Sequence, residues 1–235
     1  MPTKPEQSDI GRVLKAVEAS LNLQDEELAA WGRCKNAAMR TLFRRGLRGE
    51  PQKETEIGLV PESWDVVRLG HHYSAVSGGT PSRDNPNFWQ SGTIPWVKTT
   101  EVSYGVITST EEHITEAGLN GSAAKLLPAG TLLMAMYGQG VTRGKVAILG
   151  IDATCNQACA ALRPLDETVD SIFLFHFLTW RYEEIRQLAH GGQQQNLNLD
   201  IVRELPIVRS PTLDEQREIV AILDAIDRKI GLHKR

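Results

Sequence analysis

An internal repeat limits what this chain can fold into more than any other feature. Residues 2–21 (PTKPEQSDIGRVLKAVEASL) align with residues 211–230 (PTLDEQREIVAILDAIDRKI) at a constant offset of 209. Seven of the twenty pairs are identical: Pro2/Pro211, Thr3/Thr212, Glu6/Glu215, Gln7/Gln216, Ile10/Ile219, Leu14/Leu223 and Ala16/Ala225. Five more keep their character, among them Asp9/Glu218, Val13/Ile222 and Val17/Ile226. The same helix therefore starts twice, before and after whatever lies between.

In the first copy Ile10, Val13, Leu14, Val17, Leu21, Leu28, Trp31, Met39, Leu42 and Phe43 recur at helical spacings, predicting one long helix over residues 8–46. Gly46 and Gly49 stop it. In the second, Thr212 and Glu215 have the spacing of a capping box, followed by the stripe Ile219, Ile222, Leu223, Ile226 and Ile230. A helix whose apolar stripe lies outside the main domain must bury it on another helix, so coiled-coil pairing is expected. The pattern allows pairing within one chain or between two copies, the latter a homodimer about a two-fold axis.

Between the helices the texture changes. Residues 48–62 are polar, with two prolines, and read as a linker. Residues 63–210 hold short β-rich runs such as IPWVKTTEV, GTLLMAMYG and KVAILGI, then helical stretches at 171–189 and 199–205, the second capped by Asn198. The expected fold class is α+β: one mixed domain flanked by helices, with 1–47 a helical spacer and 211–235 the start of its repeat.

Composition narrows the function. A net charge of -3 gives no global basic field, so nucleic-acid binding would rest on local patches. One such patch runs from Arg33 to Arg48, with Lys35, Arg40, Arg44 and Arg45 and no acid between; cations at a helix C-terminus also complement its dipole. No apolar run reaches the roughly 18 residues a membrane helix needs, and MPTKPEQSDIGR lacks the apolar core of a secretory signal. No membrane association is expected, and the cytoplasm is the expected compartment.

Chemical motifs are weak. Cys155 and Cys159 are spaced C-x3-C without a second pair, which fits small buried residues better than a metal site. Gly138 to Lys145 resembles a phosphate loop, but Gln139 stands where glycine is required and Val146 where Ser or Thr would bind magnesium. Asn85-Pro86-Asn87-Phe88 lacks the second proline of an adenine-methylating loop, and His71-His72 has no ligand spacing beside it. Trp64, Trp89 and Trp96 read as core or domain-edge anchors. No catalytic residue, cofactor or metal is expected.

Together these residues resemble the specificity subunits of Type I restriction-modification systems over nearly the whole chain. The resemblance is carried by Glu215-Gln216-Arg217 to Ile230, Phe43-Arg44-Arg45-Gly46-Leu47, Pro61-Glu62-Ser63-Trp64, Gly78-Gly79-Thr80-Pro81-Ser82 and Ile94-Pro95-Trp96-Val97. Ser122 to Pro128, Met136-Tyr137-Gly138, Gly144-Lys145-Val146-Ala147, Asn156-Gln157-Ala158 and Gly191-Gly192 with Asn196-Leu197-Asn198 complete the order. It implies a target-recognition domain flanked by helices, a non-catalytic role in reading half of a split double-stranded DNA target, and modification and restriction subunits as partners. This sequence departs from the family in holding one recognition domain instead of two. The rival reading is a coiled-coil interaction protein without sequence preference; a stand-alone methyltransferase lacks its motifs.

Base reading in a DNA groove needs Arg or Lys for guanine and Asn or Gln for adenine, while phosphates are held by Lys, Arg, Ser and Thr. Four loops are rich in these: Ser77, Thr80, Ser82 and Arg83; Lys98, Thr99 and Thr100; Tyr137, Gln139, Thr142, Arg143 and Lys145; and Gln193 and Gln195. Arg44 and Arg45 join them as candidates from the basic run. Each loop also reads as an ordinary solvated turn.

Overall fold

The computed structural model describes residues 3–138, 141–188 and 196–233. Helix α1 (Lys4–Arg45) leads into β1 (Gln52–Thr55), β2 (Gly58–Pro61), β3 (Asp65–Arg68), α2 (Leu69–His72) and β4 (Tyr73–Ser77). There follow β5 (Ile94–Val97), β6 (Val106–Ile107), β7 (Glu112–Ile114), α3 (Glu116–Asn120), β8 (Leu132–Ala135), β9 (Val146–Leu149), β10 (Thr154–Cys155) and β11 (Cys159–Pro164). The chain continues through α4 (Ser171–Trp180), α5 (Tyr182–Gln187), α6 (Leu199–Arg203) and β12 (Pro206–Arg209) to α7 (Leu213–His233). The α+β class is as the sequence indicates.

Helix α1 starts earlier than predicted because the Glu6 carboxylate accepts from the Thr3 N–H at 2.6 Å and the Thr3 hydroxyl at 2.8 Å. Forty-two residues at 1.5 Å each make it about 63 Å long. Only its last third is anchored: Lys35, Met39, Leu42 and Phe43 are buried. It ends at Gly46, whose φ of +63° suits glycine and whose missing side chain leaves room for Glu50 and Glu215, 3.1 and 3.2 Å from where a Cβ would stand.

The expected linker is not irregular. Strands β1 and β2 pair antiparallel from Gln52↔Pro61 to Thr55↔Gly58, and Ile57 and Val60 are buried. Lys and Glu hide a strand from pattern reading because only the β2 side packs inward. The predicted helix from Ser171 also breaks, at Arg181, giving α4 and α5; Ala189 lies outside the described residues.

The centre is a five-stranded sheet in the order β4-β11-β8-β9-β6. It is buried on both faces, which is why LLMA and VAIL are apolar throughout. Leu132, Met134, Val146, Ile148, Ala160 and Leu162 face the larger core. Alternate residues Leu133, Ala135, Ala147, Leu149 and Ala161 face the smaller one, with Val97, Leu127, Ala153, Cys155 and Cys159. The larger core gathers around Phe43, whose ring lies 5.4 Å from Phe173 and from Phe177 and 5.5 Å from Trp180. Strands β10-β5-β7 form a three-stranded sheet, and β12-β3, like β1-β2, a two-stranded pair. No helix among the described residues is long and apolar enough to cross a membrane.

Helix α7 lies antiparallel to the C-terminal part of α1: the Leu47 N–H reaches Glu215 at 3.3 Å and the Lys35 ammonium reaches Asp227 at 2.7 Å. The capping box expected here is half formed. The Glu215 N–H donates to the Thr212 hydroxyl at 3.3 Å, but the Glu215 carboxylate turns away to accept from Leu47 and from the Trp64 indole at 3.1 Å.

Candidate nucleic-acid interface

Strand register decides which loops can act together. The ladders pair Ser77 with Ala160, Cys159 with Ala135, and Met134 with Val146. The end of β4, the start of β11, the end of β8 and the start of β9 therefore share one edge of the central sheet. Parallel pairing of Val97 with Cys155 brings the end of β5 to the same place. The Leu197 N–H donates to the Met136 carbonyl at 3.0 Å, so the segment before α6 also arrives there. Sequence-predicted loops 77–83 and 98–100 and the described residues of loop 137–145 converge on this edge, and the described end of the fourth, at Asn196 and Leu197, adjoins it. Gln139, Gln193 and Gln195 lie outside the described residues.

Close packing fixes the first loop. A Cβ on Gly78 would lie 2.1 Å from the Cys155 carbonyl oxygen, and one on Gly79 2.2 Å from the Ala124 nitrogen. The Gly78-Gly79 pair is thus required where two backbones touch. Beyond it the Thr80 hydroxyl donates to the Gln157 side chain, while Ser82 and Arg83 are exposed. The Ser77 side chain is half buried.

The second loop is tied to the turn between β10 and β11. Asn156 exchanges hydrogen bonds with the Thr99 hydroxyl at 2.9 and 3.2 Å, and its Oδ1 accepts from the Ala158 N–H at 3.0 Å. Gln157 is exposed at the tip and Thr100 is exposed beside it. Asn156 and Gln157 are not among the candidates that loop composition points to, although Asn156-Gln157-Ala158 is one of the family-like stretches. Amide side chains outside a basic or glycine-rich loop gave no further signal.

Charge on this edge is largely balanced. Arg83 and Lys98 both meet Glu112, Arg83 in a close contact and Lys98 at 3.6 Å, and Lys98 also contacts Glu111. The Arg83 guanidinium holds the Glu112 carboxyl below its usual range, and Glu111 raises the Lys98 ammonium. Arg83 stacks 3.6 Å over Trp89 and 4.8 Å from Trp96. The tryptophans are anchors as expected: the Trp96 indole donates to the Gly79 carbonyl and the Trp89 indole to the Ser82 carbonyl, each at 2.9 Å.

The third loop is only partly available. Tyr137 is exposed and Thr142 half buried, while the candidate Arg143 is only 9% exposed. The residues on either side of it meet α5: Tyr182 donates to the Val141 carbonyl, and Gly144 lies beside Ile185 and Arg186. Lys145 leans over the Tyr104 ring at 5.5 Å. The strand β9 begins directly after Lys145, so the loop also lacks the helix that a phosphate site uses.

Arg44 and Arg45 lie apart from this edge. Their carbonyls accept from Gln52 and Glu50, and neighbouring Gly46 faces Glu215. That corner adjoins residues 168–170, which pack at the start of β4 and not at its end.

Cys155 and Cys159 are buried free thiols, Cys159 pushed well above its ordinary range by its hydrogen bond with Cys155 and by burial. His72 is held by Asp166 at 2.8 Å and Thr168 at 2.9 Å. His176, Asp224 and Asp227 place potential ligand atoms within 4.8 Å of one another where α4 meets α7, but the Lys35 ammonium already contacts Asp227. An ion pair from α1 and a hydrogen bond from His176 on α4 thus meet the acids of α7.

Comparison with known proteins agrees with this architecture. The model of the family described as Type I restriction modification DNA specificity domain matches residues 61–235. The Type I restriction enzyme MjaIX specificity subunit of Methanocaldococcus jannaschii is 29% identical over 199 residues, covering 83% of this chain and 45% of that protein. The EcoR124I/EcoR124II specificity subunit of Escherichia coli is 28% identical over 170 residues, covering 68% and 40%. Among solved structures, the HsdS subunit from Thermoanaerobacter tengcongensis shares the fold with a TM-score of 0.65 at 19% identity, covering 97% of this chain and 51% of that one. The Type I restriction-modification S subunit from M. genitalium does so with a TM-score of 0.68 at 15% identity, covering 99% and 56%. The chain spans about half the length of the curated relatives it matches.

Proposed function

The chain belongs to the Type I restriction modification DNA specificity domain family, and from that premise we propose that it is a non-catalytic unit that reads one half of a split double-stranded DNA target. The observation that carries this reading is the convergence of independent polar loops on one edge of the central sheet. Gly78-Gly79 and the Asn156 turn hold that edge rigid, and Thr80, Ser82, Arg83, Thr100, Tyr137 and Gln157 form its accessible set. Hydroxyls and amides are suited to base edges, and Arg83 and Lys98 can turn from Glu112 to phosphates when DNA approaches. Methyl transfer and ATP-driven steps belong, on this proposal, to modification and restriction subunits that the helices dock, while α1 sets the distance to a second half-site. Two chains associating about a two-fold axis would read a symmetric site.

The test is selection from a randomised duplex library by this chain mixed with its modification subunit at about 0.1 M salt, where nonspecific phosphate attraction is partly screened. Enrichment of a short motif supports the reading. A formed complex that enriches nothing favours the interaction-protein alternative, and sedimentation of a pure monomer at micromolar concentration excludes the two-fold dimer.

A further inference from the structure

Side-chain type alone would assign Asn156 and Gln157 to adenine, because an amide reads that base with its oxygen accepting from N6 and its nitrogen donating to N7. The hydrogen bonds around the turn between β10 and β11 decide otherwise. Asn156 Oδ1 accepts twice, from the Thr99 hydroxyl at 3.2 Å and from the Ala158 N–H at 3.0 Å, which fills both lone pairs of a carbonyl oxygen. Its Nδ2 donates back to the Thr99 hydroxyl at 2.9 Å. Gln157 Oε1 takes the Thr80 hydroxyl. Among the described residues no acceptor meets Gln157 Nε2, so what the exposed tip of the turn presents is N–H.

The tip is also held still and flanked by charge. The Asn156 N–H donates to the Val97 carbonyl at 3.0 Å and the Gly79 N–H to the Cys155 carbonyl at 2.9 Å, while a Cβ on Gly78 would stand 2.4 Å from the Asn156 carbonyl oxygen. The turn is therefore clamped between the loop after β4 and the loop after β5. Thr80 lies three residues before Arg83 and Thr99 directly after Lys98, so the two segments that carry these cations are the ones bonded to the turn. The cations themselves converge on one anion, the Glu112 carboxylate.

We infer that Gln157 is a sequence-neutral anchor: its amide N–H donates to a phosphate of the duplex backbone, Thr80 is the positioning residue that turns the nitrogen outward, and Arg83 and Lys98 neutralise the neighbouring backbone. A single N–H suits any phosphate, and a hydrogen bond to a charged acceptor is the stronger kind. Base reading then falls to other residues of the edge. The inference rests on the reading that this edge meets DNA, and adds which of its exposed groups grips the backbone.

The test measures fluorescence anisotropy of the chain with its modification subunit on two labelled duplexes of equal length across a salt series, one carrying the selected motif and one with that motif scrambled. Gln157→Ala should weaken both duplexes by the same factor, about ten-fold, and should leave the slope of log affinity against log salt and the library-selected motif unchanged. Gln157→Arg should tighten both and steepen that slope by about 0.9. Thr80→Val should weaken both as Gln157→Ala does, and Thr80→Ser should restore them. The Gln157 variants, exposed at the tip, should melt with the parent. A motif that changes at one position in Gln157→Ala, or a scrambled-duplex affinity that Gln157→Ala leaves untouched, overturns the inference. A parent that selects no motif ends the sequence-reading function while the scrambled duplex still scores the anchor, so the two fail separately.

Discussion

Replacing Gln216 by alanine separates what a residue is from where it sits. The native side chain is fully buried and bridges α7 to the segment that caps α4, where Asp170 accepts from the Ile172 and Phe173 N–H groups at 2.9 and 3.0 Å. Gln216→Ala leaves the Asp170 N–H without its acceptor, a cost of about 1–3 kcal/mol. Thr168 is exposed, so its carbonyl recovers water and adds little. Loss of the buried methylene and amide packing adds about 1 kcal/mol, for about 2–4 kcal/mol in all. For a chain of this size that lowers the melting temperature by about 5–15 °C. Gln7→Ala removes the identical residue of the other repeat from an exposed surface and should change stability by less than about 0.5 kcal/mol. Urea titration followed by tryptophan fluorescence and far-UV circular dichroism measures both. Equal midpoints for the two variants would refute the reasoning.

Glu112→Gln removes the shared partner of Arg83 and Lys98 and should strengthen DNA binding several-fold at low salt, with a steeper salt dependence, as read by fluorescence anisotropy; unchanged affinity would mean that neither cation reaches phosphate. His176 is pushed below the ordinary histidine range chiefly by burial, with Lys35 opposing and Asp224 and Asp227 favouring its charge. The unfolded chain therefore takes up the proton first, so stability should fall as pH drops from about 6.5 towards the lower folded value, by at most about 1.4 kcal/mol per pH unit. His176→Gln should flatten the denaturation midpoint in that window, and parallel curves would show that other groups control it. Of the three thiols, exposed Cys34 alone should react with a disulfide reagent in the folded chain, and all three after denaturation; rapid native reaction of Cys155 or Cys159 would contradict their burial.

Local and periodic features were legible without coordinates. The two helices follow from apolar residues at three and four, the Asn198 cap from its side chain accepting the Ile201 N–H at 2.8 Å, and the doubly buried strands from unbroken apolar runs. The Gly78-Gly79 turn was visible as a family-like stretch, although only the structure gives its reason, a backbone contact with Cys155 and Ala124. The β1–β2 hairpin was not legible because its strands are four residues each and rich in Lys and Glu, so packing against α1 overrides propensity.

The candidate edge divides in the same way. Sequence identified residue types able to touch DNA, since donor and acceptor chemistry belongs to the side chain. It did not show that Glu112 neutralises Arg83 and Lys98, that Arg143 is buried, or that Gln157 stands among the exposed groups, because each depends on segments distant along the chain. The repeat states the limit most directly. By itself the sequence determined that Glu6-Gln7 and Glu215-Gln216 begin the same helix; the tertiary structure decided that only the second pair meets Trp64, Asp170 and Thr168, because burial and hydrogen bonding are properties of the surroundings.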